Sequence, residues 1–333
     1  MTNASAAVRQ ASATALRPRA VLVVGAASRD ITAEDPRGWR LGGGVTYGAL
    51  TLGRLGLRVR ALVGVDEGAS TARELDLLRA AGVVVALARL GSGPVFRNRE
   101  GASGRSQVCL ATADPIDPRG VPTDWLEGAD AILLAPVAGE LPDGWGSVRR
   151  RGIVALGWQG MLRELAAGRD VERRAPAASP MLDAADLVGV SLEDLPRGTD
   201  AADHLELLAP GATLVATEAE GGGRILRKRS SDMSALDRRY PAIPSDGVVD
   251  PTGAGDVFLA AMLASLLQPS LLDGLDDPTV LAAAAASLVV EGPGLLGVPD
   301  LVDVRRRAAR APSRASRSPS AVSSPGSGRP SQA

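Results

Sequence analysis

The sequence predicts an α/β fold with a mostly parallel central sheet that is covered by helices on both faces. Short, largely apolar runs of four or five residues recur along the chain, and such runs are typical of strands buried on both faces. Helical stretches separate most of them, as expected for parallel strands joined by helical crossovers. The runs lie at 20–24, 59–63, 83–86, 131–134, 153–156, 187–190 and 214–217. With 333 residues, 45% of them hydrophobic, the chain can bury such a core.

The first half of the chain begins with a small, polar segment, 1–17, which we expect to be a disordered arm. After the first strand, the glycine triplet at 42–44 precedes a helix predicted over 49–55. A second helix is predicted over 71–81, because Gly82 supplies a typical helix stop.

Two strands predicted at 94–99 and 106–111 interrupt the alternation of strand and helix. They flank the segment 101–104 and have the pattern of a β-hairpin. We therefore expect a small β lid with elements near 26–42 and 94–111, resting mostly on this hairpin. Arg97 and Arg105 lie on it and could reach an anionic substrate, although exposed hairpin arginines are more often solvated.

The last helices are predicted over 259–267 and 280–290. From 311 to 333 the chain is mostly Ser, Pro, Ala, Arg and Gly, a composition that cannot bury a core and predicts disorder. The region between the two disordered ends, 18–310, is predicted to be one folded domain.

The composition excludes several classes of function. A formal net charge of −1 gives no global field for nucleic acid or membranes. Cys109, His204 and Lys228 are each the only residue of their type, which excludes an intramolecular disulfide, a histidine cluster and a P-loop. No apolar run approaches the roughly 20 residues of a membrane span, and the first residues lack the apolar core of a signal peptide. A cytoplasmic protein is therefore expected.

The most informative stretch is Asp-Pro-Thr-Gly-Ala-Gly-Asp at 250–256, between a short apolar run and a long one. Gly253, Ala254 and Gly255 carry almost no side chain, so their N–H groups would lie bare at a helix N-terminus, where the helix dipole favours an anion. Asp256 follows at once. A carboxylate beside an anion site suits phosphoryl transfer, in which it takes a proton from the attacking hydroxyl. The alternative is a glycine-rich helix cap with Asp256 as a partner of the dipole.

This stretch resembles the second signature of the PfkB, or ribokinase-like, family of sugar and nucleoside kinases. The resemblance implies that Asp256 is the catalytic base and that the 253–255 amides form the anion hole. Thr252 adjoins them on the nucleotide side. The family usually has Thr where this chain has Pro251. The implied fold is a ribokinase-like three-layer sandwich over 18–310 with a small β lid.

The segment 42–56 resembles the first signature of the family, in which a glycine pair, here Gly43 and Gly44, brings the backbone close to the sugar. Tyr47 stands where the family commonly has Asn, and it would offer the substrate one hydroxyl and a ring face. The resemblance also implies that Asp30 accepts hydrogen bonds from sugar hydroxyls, although an Asp after a strand is often only part of a turn.

Two further segments match the family more weakly. Ser191 and Asp194 occupy the Asn and Glu positions of its N-x-x-E motif, which orders Mg²⁺ and its waters; a helix-capping box is the alternative for this spacing. The segment 214–222 resembles the T-x-G-x-x-G nucleotide turn, with Ala219 in place of its first glycine. The residues implied to contact the nucleotide are Thr217, Glu218, Ala219 and Gly222 in this turn, and Ala285 in an alanine-rich helix.

Together these motifs predict an ATP- and Mg²⁺-dependent kinase that phosphorylates a hydroxyl of a sugar, polyol or nucleoside. The expected partners are that acceptor and ATP, without nucleic acid or membrane, and a homodimer stays open. A non-catalytic sugar- or nucleotide-binding protein on the same fold is the alternative. The substitutions at Tyr47, Ser191, Asp194 and Ala219 favour it, and the intact 253–256 motif disfavours it.

Overall fold

The computed structural model describes residues 18–101, 104–148, 152–275 and 277–311. The segment 1–17 and, from residue 312, the tail that we expect to be disordered lie outside these ranges. In the described part of the chain, none of the helices combines the length and the apolar character that a membrane crossing requires.

The strands and helices are numbered here in chain order. The strands are β1 (Ala20–Ala26), β2 (Ser28–Ile31), β3 (Trp39–Gly42), β4 (Arg58–Val65), β5 (Val84–Arg89), β6 (Val95–Gly101), β7 (Gly104–Ala111), β8 (Ala131–Leu134), β9 (Ile153–Gly157), β10 (Arg163–Glu164), β11 (Arg169–Asp170), β12 (Glu172–Arg173), β13 (Leu187–Ser191), β14 (Thr213–Thr217), β15 (Gly223–Arg227) and β16 (Leu236–Tyr240). The α-helices are α1 (Gly44–Arg54), α2 (Glu74–Ala80), α3 (Thr123–Glu127), α4 (Pro180–Ala184), α5 (Ala254–Leu267), α6 (Pro278–Val289) and α7 (Leu301–Ala308).

The central sheet contains nine strands within the described ranges, in the order β16-β15-β14-β13-β9-β8-β1-β4-β5. All neighbours from β14 to β5 are parallel, and only the pairings β14–β15 and β15–β16 are antiparallel. The predicted mostly parallel α/β sheet is thus confirmed. Strands β15 and β16 were not predicted because their sequences, GRILR and LDRRY, mix apolar and charged residues instead of forming apolar runs.

Two hydrophobic cores lie on opposite faces of this sheet. In β1, Val21 and Val23 contribute to one core, whereas Leu22 and Val24 contribute to the other. Successive strand residues point to opposite faces, so a wholly apolar strand is what a sheet covered on both sides requires. Helix α5 is apolar around most of its circumference and is buried from Val257 to Ser265, which anchors the 250–256 turn at its N-terminus.

The lid is larger than the sequence predicted. It is a sheet of five strands within the described ranges, in the order β11-β7-β6-β2-β3. The hairpin β6–β7 supplies its centre, and β2 pairs with β6 in parallel. Lid strands are therefore present in both predicted places, near 26–42 and 94–111. The first of these contributes more than expected, because the short polar segment after β1 folds into β2 and β3 and extends the lid sheet.

Candidate active site

The 250–256 turn is held in place by Asp250. Its Oδ1 accepts a hydrogen bond from the N–H of Thr252 at 3.0 Å, and its Oδ2 accepts one from the N–H of Gly294 at 3.1 Å. Gly253 is the N-cap of α5 with φ of 84°, a left-handed conformation that glycine adopts without strain. A Cβ at Gly255 would meet nothing within 4 Å. The N-terminus of α5 therefore faces open space, as an anion site requires.

Asp256 lies in the first turn of α5 and is partly buried. Burial raises the pKa of its carboxyl from the ordinary 3.8 to about 6, and the negative charge of Asp194 acts in the same direction. The cation of Arg163 partly offsets this rise in the pKa of Asp256. A carboxyl with such a pKa is ionised at neutral pH and still basic enough to take a proton from a hydroxyl in the transition state.

The N-terminus of α1 approaches the same carboxylate. A Cβ at Gly44 would lie 2.7 Å from Oδ1 of Asp256 and 3.2 Å from Cβ of Ala135. The N-cap of α1, Gly43, has φ of 96°, and a Cβ there would lie 2.5 Å from the carbonyl oxygen of Ala26. The glycines of the first predicted signature are thus brought next to the base of the second. Helix α1 begins at Gly44, earlier than the predicted 49.

Tyr47 lies beneath the turn. Its side chain is 1% exposed, and a Cβ at Gly253 would overlap its ring. Burial raises the pKa of the Tyr47 hydroxyl well above its ordinary value. This buried position does not support the predicted contact between Tyr47 and a substrate. The ring instead supports the left-handed turn at Gly253, a role that only the tertiary packing reveals.

Asp30 faces the glycine triplet from the lid. It lies in β2, opposite Arg40 of β3 and Phe96 of β6. Its Oδ1 accepts a hydrogen bond from Oγ of Ser28 at 3.0 Å, and a Cβ at Gly42 would overlap its Oδ2. The structure therefore brings Asp30 and the glycine triplet together, as the resemblance implied.

Of the two predicted lid arginines, the structure describes the side chain of Arg97 only. Arg97 is exposed on β6, and the alternation of a strand places it on the opposite face from its buried neighbour Phe96. The side chain of Arg105 lies outside the part of the chain that the structure describes.

Ser191 and Asp194 lie just beyond the carboxyl end of β13. Oγ of Ser191 accepts a hydrogen bond from the N–H of Glu193 at 3.2 Å, in a turn that no helix follows, so the capping-box alternative does not apply. Nε2 of Gln159 donates to both carboxylate oxygens of Asp194 at 3.2 and 3.3 Å. Burial raises the pKa of Asp194.

Ser191 and Asp194 could hold Mg²⁺ only through water molecules bound to the ion. Within the described ranges, no group of three or more His, Cys, Asp or Glu side chains could hold a metal ion. Asp194 offers one carboxylate, which is compatible with an ion that keeps several waters and is bound largely by phosphates.

The turn after β14 has the backbone shape that its resemblance to a glycine turn implied. Among the non-glycine residues that the structure describes, Ala219 alone has a positive φ, at 46°. Gly222 has φ of 84°, and a Cβ there would overlap the carbonyl oxygen of Tyr240. Thr217 ends β14, and Glu218 forms an ion pair with Arg239 at 3.3 Å. Ala219 therefore occupies a position that favours glycine.

Three residues near the site were not predicted. Gln159 and Arg163 follow β9, a strand in the middle of the sheet. Because ligands bind beyond the carboxyl ends of parallel strands, residues that follow a central strand are candidates for the site. Glu140 is buried and accepts hydrogen bonds from the N–H groups of Ala26 and Ala138 at 2.7 and 2.8 Å. The local sequence does not mark Glu140, because one of its partners, Ala26, comes from a distant strand.

Comparison with known proteins shows which family part of the chain resembles. Residues 182–300, which include the Asp194 loop, the Ala219 turn and the 250–256 turn, match the model of the pfkB family of carbohydrate kinases. A search of curated proteins found no significant match.

Solved structures share the fold over most of the chain. One is a pyrophosphate-dependent kinase in the ribokinase family complexed with a pyrophosphate analog and myo-inositol, with a TM-score of 0.64 and 20% identity over 86% of this chain and 99% of that one. Another is a nucleoside kinase of Methanocaldococcus jannaschii, with a TM-score of 0.63 and 16% identity over 89% and 99%. A third is a ribokinase of Arabidopsis thaliana complexed with ribose and ATP, with a TM-score of 0.60 and 18% identity over 88% and 100%.

These findings confirm the two expectations they address. The chain has the ribokinase fold, and its 182–300 segment confirms the resemblance to the PfkB family. The family-model match agrees with the enzyme class that the sequence predicted, a carbohydrate kinase.

Proposed function

We propose that the protein transfers the γ-phosphoryl group of ATP to a hydroxyl of a sugar, polyol or nucleoside, with Asp256 as the general base. One observation carries the proposal: a carboxyl with a pKa of about 6 lies in the first turn of a helix whose N-terminus opens to free space at Gly255. The base and the anion site that phosphoryl transfer to a hydroxyl requires are thus adjacent on one rigid element.

The residues of the chain have distinct parts in this reaction. Asp256 takes the proton of the acceptor hydroxyl while the hydroxyl oxygen bonds to the γ-phosphorus. The bond between that phosphorus and the bridging oxygen breaks, and ADP leaves with the electron pair. The amides of residues 253–255 donate hydrogen bonds to the phosphoryl oxygens as their charge develops. Mg²⁺, held by phosphates, waters and Asp194, would neutralise charge on the donor.

The acceptor site supports a polyhydroxylated substrate. Asp30 is presented by a lid strand beside the glycine triplet, and an ionised carboxylate accepts hydrogen bonds from more than one hydroxyl. The names of the similar structures cover the same chemical range, since they include myo-inositol, a nucleoside kinase and ribose.

For the donor, apolar side chains beside the anion turn support a nucleotide. Val248 and Val249 are 60% and 63% exposed immediately before the turn, and Leu296 is 63% exposed in the loop whose Gly294 binds Asp250. A planar base can cover exposed apolar surface of this kind. Because one similar structure is a pyrophosphate-dependent kinase, pyrophosphate belongs in the test as a second donor.

The test is a turnover assay over a panel of pentoses, hexoses, inositols and nucleosides, with ATP or pyrophosphate as donor and Mg²⁺ present. We expect donor-dependent phosphorylation of at least one acceptor, and its loss in Asp256→Asn. Binding of a panel member without turnover by the wild-type protein would instead support the non-catalytic alternative.

A further inference from the structure

We propose that Arg163 is a catalytic residue whose guanidinium binds the phosphoryl group in transit between the donor and the acceptor hydroxyl. The inference deepens the proposed function and rests on it. Neither signature of the family contains this arginine, and the sequence analysis placed no cation in the body of the site.

Arg163 stands at the centre of the carboxyl edge of the sheet. It opens β10, six residues after the end of β9, a strand that lies between β8 and β13. Ligands of parallel α/β sheets bind outside the carboxyl ends of the strands. Leu162, the preceding residue, is 1% exposed, so the backbone that carries Arg163 is fixed in the core.

Two sets of contacts hold the segment 159–173, which contains Arg163, against the loop of Asp194. Gln159, in the same connection, donates to the Asp194 carboxylate at 3.2 and 3.3 Å. Strand β10 pairs with β12, and Nε of Arg173 in β12 donates to the carbonyl oxygen of Glu193 at 2.5 Å. The segment that carries Arg163 is thus held against the Asp194 loop, the side of the cleft on which our proposal places the donor phosphates.

The side chain of Arg163 reaches the lid on the opposite side. Its guanidinium carbon lies 5.7 Å from the centroid of the Phe96 ring, within the range of a cation–π interaction. Phe96 is 1% exposed, and its backbone is paired with Asp30 of the acceptor site. The guanidinium therefore lies between the acceptor side and the Asp194 side.

The charge of Arg163 acts on both carboxyl groups that border this space. It lowers the pKa of Asp256 and that of Asp194 against the opposing effect of burial. A guanidinium stays protonated at all relevant pH values and presents several N–H donors in a plane, a geometry that suits phosphate oxygens. In the transition state it would stabilise the equatorial oxygens of the phosphoryl group while Asp256 accepts the proton.

The experiment compares Arg163→Gln and Arg163→Lys with Arg174→Gln, which removes an exposed arginine that closely follows β12. We expect Arg163→Gln to lower kcat by about 10²-fold or more, the usual cost of losing one transition-state donor. Lys should restore part of the loss, and Arg174→Gln should stay within twofold of wild type. Without the cation, the acid limb of the kcat/KM profile should move to higher pH.

A binding measurement separates this role from a structural one. ADP, Mg²⁺ and aluminium fluoride together mimic a phosphoryl group in transit, and calorimetry gives the gain in ADP affinity that the fluoride produces. We expect the wild type to show this gain and folded Arg163→Gln to lose it while retaining its affinity for ADP alone. An equal gain in both proteins, no gain in the wild type, or kcat of Arg163→Gln within twofold of wild type would overturn the assignment. Absence of turnover in the wild type, with the gain present and Arg163-dependent, would count against the proposed reaction and not against Arg163.

Discussion

The backbone of Gly44 lies so close to Asp256 that a Cβ at residue 44 would be 2.7 Å from Oδ1 of the carboxylate. The first helix of the acceptor site and the base of the phosphoryl site are therefore in contact across the cleft. This contact turns two glycine-rich motifs, about 200 residues apart, into one site.

Gly44→Ala should leave the protein folded but impair catalysis. The added methyl group would lie 2.7 Å from the end of the Asp256 side chain, which can move, and 3.2 Å from Cβ of Ala135, a tight contact that we expect to cost some stability. The carboxylate must shift, however, and a misplacement of about 1 Å can cost about 10²-fold in rate. We expect kcat to fall by about tenfold to a hundredfold. Gly120→Ala, whose Cβ would meet nothing within 4 Å, is the matched control; equal kcat values for the two variants would contradict the prediction.

Asp256→Asn should lower kcat by about 10²–10⁴, the usual contribution of a general base. It should also raise the melting temperature at pH 8. The folded pKa of about 6 exceeds the unfolded value near 3.8, so the stability that protonated Asp256 contributes is present below pH 4 and is lost as pH rises through 6. Melting curves at pH 4.5 and 8 test this, and a variant less stable than wild type at pH 8 would refute it.

The same pKa sets the acid limb of wild-type activity. Because the base acts only when ionised, kcat/KM should fall about tenfold per pH unit below pH 6 and level off above it. Asp194→Asn removes a negative charge that raises the pKa of Asp256, so it should move the limb to lower pH. A limb centred near pH 4 in the wild-type protein would show that Asp256 is not the titrating base.

Gly255→Val should abolish phosphorylation in a folded protein. The space beyond Gly255 is open, and our proposal places the phosphate in it. Gly247→Val is the matched control. Gly247 lies shortly before the turn, and a Cβ there would also meet nothing within 4 Å. Turnover and melting temperature should be measured for both. Full activity of Gly255→Val would show that the phosphate binds elsewhere.

Ala219→Gly should stabilise the protein by about 1 kcal/mol, because Ala219 has φ of 46° and glycine adopts positive φ without a steric cost. An ordinary Ala→Gly change is expected to destabilise a protein instead, because glycine increases the conformational entropy of the unfolded chain. Ala177→Gly, in an exposed loop, is therefore the control. Denaturant unfolding compares the two, and destabilisation by both would contradict the strain at Ala219.

Substitutions of Asp194 test whether this residue takes part in Mg²⁺ binding. Asp194→Ala should raise the Mg²⁺ concentration needed for half-maximal activity, because it removes the one carboxylate expected to orient the waters of the ion. Asp194→Glu, which restores the longer side chain of the family motif, should lower that concentration or leave it unchanged. Exposed Glu193→Ala is the control. Identical Mg²⁺ titrations for all four proteins would remove Asp194 from the metal site.

The sequence alone was enough to predict the seven parallel strands of the central sheet and the positions of the main motifs. Strands such as Ala131–Leu134 are wholly apolar, and a run of this kind has a stable place only in a sheet covered on both faces. The 250–256 turn could also be predicted, because its proposed chemistry depends on backbone amides, glycines and one carboxylate that are adjacent in the chain. The left-handed position at 219 could be foreseen because local backbone geometry carries it.

Only the tertiary structure decided what depends on packing between distant segments. The burial of Tyr47 beneath Gly253 gives this residue a packing role that its position in a motif did not predict. The two extra lid strands, 28–31 and 39–42, form because β6 supplies hydrogen-bonding partners to a segment that has no apolar pattern of its own. Arg163 and Gln159 have no sequence signal that distinguishes them from other polar residues. Their place in the site follows from the position of β9 in the middle of the sheet, which the order of residues along the chain does not specify.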